Sequence, residues 1–235
     1  MQYQNIFKRY ELKYLLAQQQ KERLLPAIES YMALDRYGRT TIRNLYFDTD
    51  NYRLIRRSIE KPVYKEKLRL RSYQQATKDS PVFVELKKKY KSVVYKRRLC
   101  MSEQRAFSWL IHGENPDNSQ IGKEIDYFSR FYGPLTPKVF LSYDREAFYC
   151  KAGGDLRITF DDNILCRQES LSLTEGIWGT PILEPELSLM EIKTAGAMPL
   201  WLTEALTKEK IRKTAFSKYG TAYQNLIFKE VFDHV

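Results

Sequence analysis

Cysteine and histidine are scarce in this chain. Its 235 residues include three cysteines, Cys100, Cys150 and Cys166, and two histidines, His112 and His234. The cysteines are odd in number and too widely spaced for a disulfide framework or a Cys-x-x-Cys knuckle, and no histidine pair has the spacing of a zinc site. We therefore expect neither a disulfide scaffold nor a zinc-binding motif, and a reducing, cytoplasmic setting.

Long apolar runs are also lacking. The N-terminal stretch MQYQNIFKRYELKY has charges where a signal peptide needs an apolar run. No stretch approaches the roughly 20 apolar residues of a membrane span. The sequence predicts neither element and leaves open membrane attachment through a partner protein. Because no repeat, low-complexity tract or linker divides the chain, we expect a single domain over residues 1–235.

Apolar residues and positive charge are plentiful. Hydrophobic residues make up 43% of the chain and aromatic residues 14%, enough for a sizeable core. The net charge of +10 arises from 39 lysines and arginines against 29 acidic residues. Such a surplus favours an anionic partner: nucleic acid, a phospholipid surface or a phosphorylated small molecule. The sign of the charge does not choose among them.

Charge alternates with apolar residues along several predicted strands. In VYKEKLRLRSY (63–73), Leu68 and Leu70 alternate with Lys67, Arg69 and Arg71, at the period that places them on opposite faces of a strand. The same pattern recurs in FKRYELKY (7–14), VFVELKKK (82–89), VVYKRRL (93–99), LRITFD (156–161) and LMEIK (189–193), and less cleanly in TIRNLYFD (41–48) and PKVFLSYDREAF (137–148). Short connections favour an antiparallel meander of about eight strands.

Helical patterns lie between and after these strands. The predicted helices are Gln18–Met32 with a break or kink at Pro26, Ser102–His112, a helix through Ile121 to Tyr132, Pro199–Ile211 and Thr214–Phe232. Strands and helices together predict an α+β fold.

The repeated pattern allows two interpretations. Each segment alone is typical of an amphipathic strand with a solvated charged face. If the strands instead close into a barrel, its interior holds more cations than anions, and burial of that charge requires water and a bound polyanion. The predicted interior residues are Lys13, Arg69, Arg71, Lys87, Lys96, Arg157 and Lys193, with Glu11, Glu85 and Glu191.

Nine motifs carry a family resemblance along nearly the whole chain. They are RYELKY (9–14), NLYFDT (44–49), KLRLRSY (67–73), FVELKKKYKSVVYKRR (83–98), LSYDREAF (141–148), LRITFD (156–161), LMEIK (189–193), PLWL (199–202) and FSKYG (216–220). In this order they resemble the polyphosphate polymerase (VTC) domain of the vacuolar transporter chaperone family, within the CYTH-like triphosphate tunnel metalloenzymes. The resemblance implies an eight-stranded antiparallel β-barrel tunnel with a basic interior, flanked by helices.

The resemblance also implies a site. The implied catalytic lysines are Lys13, Lys87, Lys96 and Lys218, and the implied phosphate-binding residues are Arg69, Arg71, Arg145, Arg157, Lys193 and Ser217. Glu191 matches the metal-binding glutamate, with Glu11 and Glu85 as further candidate ligands of Mn²⁺ or Mg²⁺. The implied partners are ATP, triphosphate and inorganic polyphosphate. Arginine forks suit phosphate oxygens, and lysine adds compact charge during phosphoryl transfer.

One position departs from the wider superfamily. Its members often begin with Glu-x-Glu-x-Lys, whereas Arg9 occupies the first acidic position here, before Glu11 and Lys13. This resembles the polymerase branch and leaves a hydrolase of the same fold open. A non-catalytic polyphosphate-binding subunit is a further alternative. Nucleic-acid binding by the run KKKYKSVVYKRR (87–98) is not expected once the family resemblance is considered, since it requires an outer basic surface.

Overall fold

Eight antiparallel strands form a closed barrel in the computed structural model, which describes residues 6–227. The strands are β1 (Ile6–Ala17), β2 (Met32–Leu34), β3 (Thr40–Asp48), β4 (Tyr64–Ser72), β5 (Pro81–Tyr90), β6 (Val93–Ser102), β7 (Thr136–Cys150), β8 (Arg157–Arg167), β9 (Thr180–Pro181), β10 (Leu187–Thr194) and β11 (Lys213–Thr214). The barrel order is β7-β3-β4-β5-β6-β1-β10-β8, and pairing of β8 with β7 closes it. The predicted antiparallel barrel is confirmed.

In the part of the chain that the structure describes, six α-helices flank the barrel. They are α1 (Gln18–Tyr31), α2 (Arg53–Ile59), α3 (Glu103–His112), α4 (Gln120–Tyr132), α5 (Leu200–Lys208) and α6 (Lys218–Ala222), and a π-helical turn (Tyr223–Ile227) follows α6. Pro26 lies inside α1 and does not divide it. Within residues 6–227, no helix is long and apolar enough to span a membrane.

Two helix assignments differ from the sequence-based prediction. Helix α2 was not predicted, and its N-cap residue, Tyr52, makes no side-chain cap hydrogen bond. Instead, the Asp48 carboxylate accepts hydrogen bonds from the backbone N–H groups of Leu54 and Ile55, at 2.9 and 3.0 Å. The predicted helix over residues 214–232 is wrong at its start, because Thr214 pairs with β1 and α6 begins at Lys218. Its end, beyond residue 227, lies outside the described residues.

Apolar side chains on the outer barrel surface pack under two groups of helices. Leu68 and Leu70 of β4 join one core with Trp109 of α3 and Ile125 of α4. A second core buries β8 and β10 under α1 and α5, and it contains Leu24, Ile28, Ile158, Ile192 and Leu202. Because the strands turn their leucines outward to these helices, their charged residues must face inward.

The C-terminal segment packs against an apolar part of the barrel interior. Tyr219 of α6 stacks on Tyr46 of β3 with ring centroids 4.8 Å apart, and its hydroxyl donates to Asp48 Oδ2 at 3.0 Å. Ala222 and Ile227 join the same buried cluster. This packing brings Ser217 and Lys218 to the cavity.

The predicted hairpin between β5 and β6 turns at Lys91 and Ser92. Both residues have positive φ, 43° and 71°, as a two-residue hairpin turn that matches strand twist requires. The hairpin register places Lys87 opposite Lys96. Two cations therefore share one level of the inner barrel wall.

Candidate active site

A cavity of about 1000 Å³ occupies the barrel interior. Among residues 6–227, its lining includes fifteen lysines and arginines but two acidic residues, Glu11 and Glu191. The cationic lining consists of Arg9, Lys13, Lys61, Lys65, Lys67, Arg69, Arg71, Lys87, Lys89, Lys91, Lys96, Arg145, Lys193, Lys213 and Lys218. This excess of one charge around a single cavity suits a polyanion.

Glu85 organises the cations of the β4–β5–β6 wall. Its side chain is fully buried, and Oε2 accepts hydrogen bonds from Arg69 Nε and Nη2 at 2.9 and 2.7 Å. Oε1 accepts from Lys96 Nζ at 3.2 Å, and Arg71 Nε lies 3.8 Å from Oε2. These cations hold the pKa of Glu85 well below its usual range despite burial, which acts in the opposite direction. The Glu85 carboxylate therefore positions three cationic side chains, Arg69, Arg71 and Lys96.

Neutral side chains fix the arginine forks. Arg71 Nε donates to Asn44 Oδ1 at 2.9 Å, and Arg71 Nη2 donates to the Tyr143 hydroxyl at 3.0 Å. Arg69 Nη1 donates to the Tyr46 hydroxyl at 2.9 Å. These partners orient the guanidinium groups without cancelling their charge.

Two carboxylates share the cations of the opposite wall. Asp161 accepts a two-point contact from Arg145, with Nε–Oδ1 at 2.6 Å and Nη2–Oδ2 at 2.7 Å, and a hydrogen bond from Lys218. Glu191 lies 3.4 Å from Lys218, 3.2 Å from Lys193, 3.6 Å from Lys13 and 3.8 Å from Arg145. The looser contacts leave Glu191 the more available of the two carboxylates.

The segment before α6 completes the site. Lys13 Nζ donates to the backbone carbonyl of Phe216 at 2.8 Å. The Ser217 hydroxyl caps α6 by accepting from Gly220 N at 3.2 Å, and it also accepts from Lys67 Nζ at 3.0 Å. The FSKYG motif thus joins the barrel wall through side-chain and backbone contacts.

Nearly all predicted site residues meet in or immediately behind this cavity. The lining contains Lys13, Lys87, Lys96, Lys218, Arg69, Arg71, Arg145, Lys193, Ser217, Glu191 and Glu11, and Glu85 lies behind it. Of the charged residues in the run 87–98, Lys87, Lys89, Lys91 and Lys96 line the cavity, and Lys88 and Arg97 lie near Glu66 and Glu124. The run is therefore not a continuous outer basic surface.

Arg157 is the exception. It pairs in register with Lys193, so it shares the inward strand face, but it is the first residue of β8, is exposed and does not line the cavity. Its guanidinium lies 5.4 Å from the centre of the Tyr149 ring. The expectation that Arg157 enters the cavity with Arg69, Arg71 and Glu191 is wrong, because the strand begins too near the barrel end.

Three site residues were missed by sequence reasoning as functional candidates. Asp161 and Lys67 lie on strand faces that the sequence already predicted to be charged. The alternation of side chains along each strand could therefore have identified both residues. Tyr143 had no comparable signal, because a register shift after Ser142 disturbs the alternation. Its buried hydroxyl lies among Arg71, Arg145 and Lys218, which lower its pKa against the effect of burial.

Three of the cavity lysines, Lys67, Lys96 and Lys193, are buried or partly buried near other cations. Burial and the neighbouring Lys13, Lys87, Lys65 and Arg69 lower the pKa of Lys67 well below its usual value. Burial is also the main reason that the pKa values of Lys96 and Lys193 fall to about 7, although Glu85 and Glu191 oppose the shift. A bound anion would favour the charged forms of these lysines.

Triphosphate affinity should fall as pH rises through about 7, because Lys96 and Lys193 lose their charge there. Calorimetric titration with tripolyphosphate from about pH 6 to 9 measures this. Lys96→Met should weaken tripolyphosphate binding at low pH, and its affinity should decline less steeply with rising pH than that of the wild type. A decline of equal steepness in this variant, or affinity rising with pH in the wild type, would contradict the assignment.

Glu191 is the carboxylate that best fits a divalent cation. It lines the cavity, whereas Glu85 and Asp161 are fully buried and absent from the lining. Glu11 also lines it but pairs directly with Lys87. Within residues 6–227, no group of three or more carboxylate, histidine or cysteine side chains forms a metal site. Glu191 is therefore the side chain that would hold Mg²⁺ or Mn²⁺, and phosphate oxygens and water would have to complete the shell. Glu85, fully buried among Arg69, Arg71 and Lys96, is not available as a ligand.

Comparison with known proteins agrees with this geometry. The VTC domain profile matches residues 8–227. A candidate adenylate cyclase from Bacillus halodurans shares the fold, with 16% identity, coverage of 91% of this chain and 96% of that chain, and a TM-score of 0.58. A candidate adenylyl cyclase from Hippeastrum, described as having a dominant triphosphatase activity, has 16% identity, coverage of 92% and 95%, and a TM-score of 0.55.

A search of proteins with curated functions gives no match. The two structures share the fold at identities too low to carry an activity across. The family profile, in contrast, spans most of the described residues. On that ground, the chain belongs to the VTC domain family.

Proposed function

We propose that this chain, as a single domain, is a metal-dependent polyphosphate polymerase that transfers the γ-phosphate of ATP to a growing polyphosphate chain. The observation that carries the proposal is the cavity lining, to which the described residues contribute fifteen cationic and two acidic side chains. A polyanion of repeating phosphate groups matches this charge along its length. VTC family membership supports the same substrate class.

The cationic residues would have two roles. Arg69, Arg71 and Arg145 would bind and orient phosphate oxygens, because their forks are already fixed by neighbouring side chains. Lys193 and Ser217 would add phosphate contacts. The lysines nearest the reacting groups would stabilise charge that develops during transfer, and these are Lys13, Lys87, Lys96 and Lys218.

In the proposed reaction, an oxygen of the chain's terminal phosphate attacks the γ-phosphorus of ATP. A bond forms between these atoms, the bond from the γ-phosphorus to the β–γ bridging oxygen breaks, and ADP leaves. A divalent cation bound at Glu191 would supply charge neutralisation to the phosphate oxygens. The cavity residues would hold both reactants in line and limit access of water.

A triphosphatase is the second candidate. In that reaction, water replaces the phosphate chain as the acceptor. The cationic lining fits a triphosphate as well as a longer chain, which favours this candidate too; the Hippeastrum protein, described as having triphosphatase activity, shares only the fold. A phosphate-binding subunit without catalysis would use the same basic lining.

Incubation of purified protein with ATP and Mn²⁺, followed by gel analysis, tests the proposal. Long phosphate chains that form with the metal and not with a chelator support polymerisation. Free phosphate without chains supports the triphosphatase, and tripolyphosphate binding without either product supports the binding subunit. The last two results each overturn the polymerase.

Arg71→Ala should weaken tripolyphosphate binding by about 1.5–3 kcal/mol, the range for a lost charge-assisted hydrogen bond. Arg71 lines the cavity and is 6% exposed. Lys78→Ala is the matched control, because Lys78 is exposed outside the cavity lining. Calorimetry on both variants measures the difference, and equal affinities would refute the role of Arg71.

A further inference from the structure

An aromatic ring lies among the cations at one end of the cavity. Phe7 of β1 pairs in register with Lys96 of β6. The Lys96 ammonium lies 4.1 Å from the centre of the Phe7 ring, and the guanidinium carbons of Arg9 and Arg98 each lie 5.2 Å from it. Three cations thus lie within cation–π distance of one ring.

Phe7 shares the inward strand face of Arg9 but lies outside the cavity lining. Lys96 and Arg9 line the cavity, whereas Phe7 and Arg98 do not. Arg98 also lies 4.6 Å from the ring of the buried Phe83. Arg98 therefore lies near two phenylalanine rings outside the cavity lining.

Acidic partners are limited at this end. Glu85 is shared by Arg69, Arg71 and Lys96. The Arg9 Nε atom is buried without a hydrogen-bond partner among the described residues, and its carboxylate contact, to Glu11, is at 3.6 Å. A further carboxylate would fix these cations and cancel their charge. An aromatic ring fixes cations and leaves their net charge available to phosphate.

We infer that Phe7 is a positioning residue of the phosphate site, whose ring holds Lys96 and Arg9 toward the cavity without neutralising them. The inference rests on the proposed polyphosphate function for the identity of the ligand. Its chemistry requires the electron-rich face of the ring and not its apolar volume. Two substitutions separate these properties.

Calorimetry with tripolyphosphate, without metal, tests the inference on three variants. Phe7→Leu keeps an apolar side chain and should weaken binding by about fivefold, equivalent to a cation–π contribution of about 1 kcal/mol. Phe7→Tyr keeps the ring face and should bind like the wild type; Phe7 is half-buried, which leaves access for the added hydroxyl. Tyr37→Leu, which removes the exposed ring beside Arg36 at 4.8 Å, should have no effect.

Wild-type affinity in Phe7→Leu overturns the inference, and so does equally weak binding in Phe7→Tyr, which would indicate a packing role. Thermal unfolding of each variant shows whether the fold is retained. A double-mutant cycle adds a second measurement: the effect of Phe7→Leu should shrink in a Lys96→Met background if Phe7 acts through Lys96. Fully additive effects of the two substitutions would contradict the inference that Phe7 acts through Lys96.

The readout also separates this inference from the proposed reaction. A wild-type protein that binds tripolyphosphate but makes no polyphosphate overturns the polymerase and leaves the Phe7 comparison intact. A wild-type protein that does not bind tripolyphosphate overturns both.

Discussion

Glu191→Gln should reduce metal-dependent turnover of ATP by at least about tenfold, a rise of roughly 1.4 kcal/mol in the barrier. The substitution keeps the shape of the side chain and removes the charge that would hold a divalent cation. Metal-free binding of tripolyphosphate should be kept or strengthened. The reason is that Glu191 lies near four cations, Lys13, Lys193, Lys218 and Arg145, and its negative charge opposes a polyanion.

Metal-titrated turnover and metal-free calorimetry on the same protein test this prediction. Unchanged turnover at saturating metal would refute the metal-binding role. If Glu191 instead only holds the barrel together, the variant should lose metal-free binding and thermal stability together. Glu146→Gln is a matched control, because Glu146 pairs with Lys21 at 2.9 Å and is absent from the cavity lining.

Glu85→Gln should lower the free energy of unfolding by about 3–5 kcal/mol, the range for removal of one partner from a buried ion pair. Glu85 is fully buried, and the variant leaves Arg69, Arg71 and Lys96 without their shared negative charge. Tripolyphosphate should recover part of this loss, because the ligand supplies negative charge to the same cations.

Denaturant unfolding with and without tripolyphosphate measures both effects. Glu124→Gln is the control, since the Glu124–Arg97 contact at 3.4 Å is partly exposed and should contribute less than about 1 kcal/mol. A loss in Glu85→Gln no larger than in this control would contradict the central role of Glu85. Equal stabilisation of variant and wild type by the ligand would contradict the shared use of its cations.

Strand alternation made most of the barrel predictable. The leucines of LRLRS alternate with arginines, and the same parity in LMEIK turns Glu191 and Lys193 inward. The two-residue period predicts which side chains face inward because every strand of a closed barrel has one inner and one outer face. The alternation alone did not predict that the barrel closes, because an open sheet shows the same alternation. That prediction came from the family motifs.

The remaining features depend on long-range geometry. Arg157 has the inward parity but begins its strand, so parity alone could not show that it lies outside the cavity. Helix α2 depends on a cap from Asp48, several residues before the helix. Phe7 was not singled out from the sequence, because its contact with cations depends on the register between β1 and β6.

The way the barrel closes has a consequence for the order of folding. Strand β1 pairs with β10, which lies far from it in the sequence. The contact between Lys13 and Phe216 joins residues 203 positions apart. Such distant pairings slow folding because the entropy of loop closure precedes any gain from contact. During synthesis, β1 is made long before β10 and the FSKYG segment. The cationic cavity therefore cannot be complete, and cannot hold a polyanion in its final geometry, until the FSKYG segment has been made.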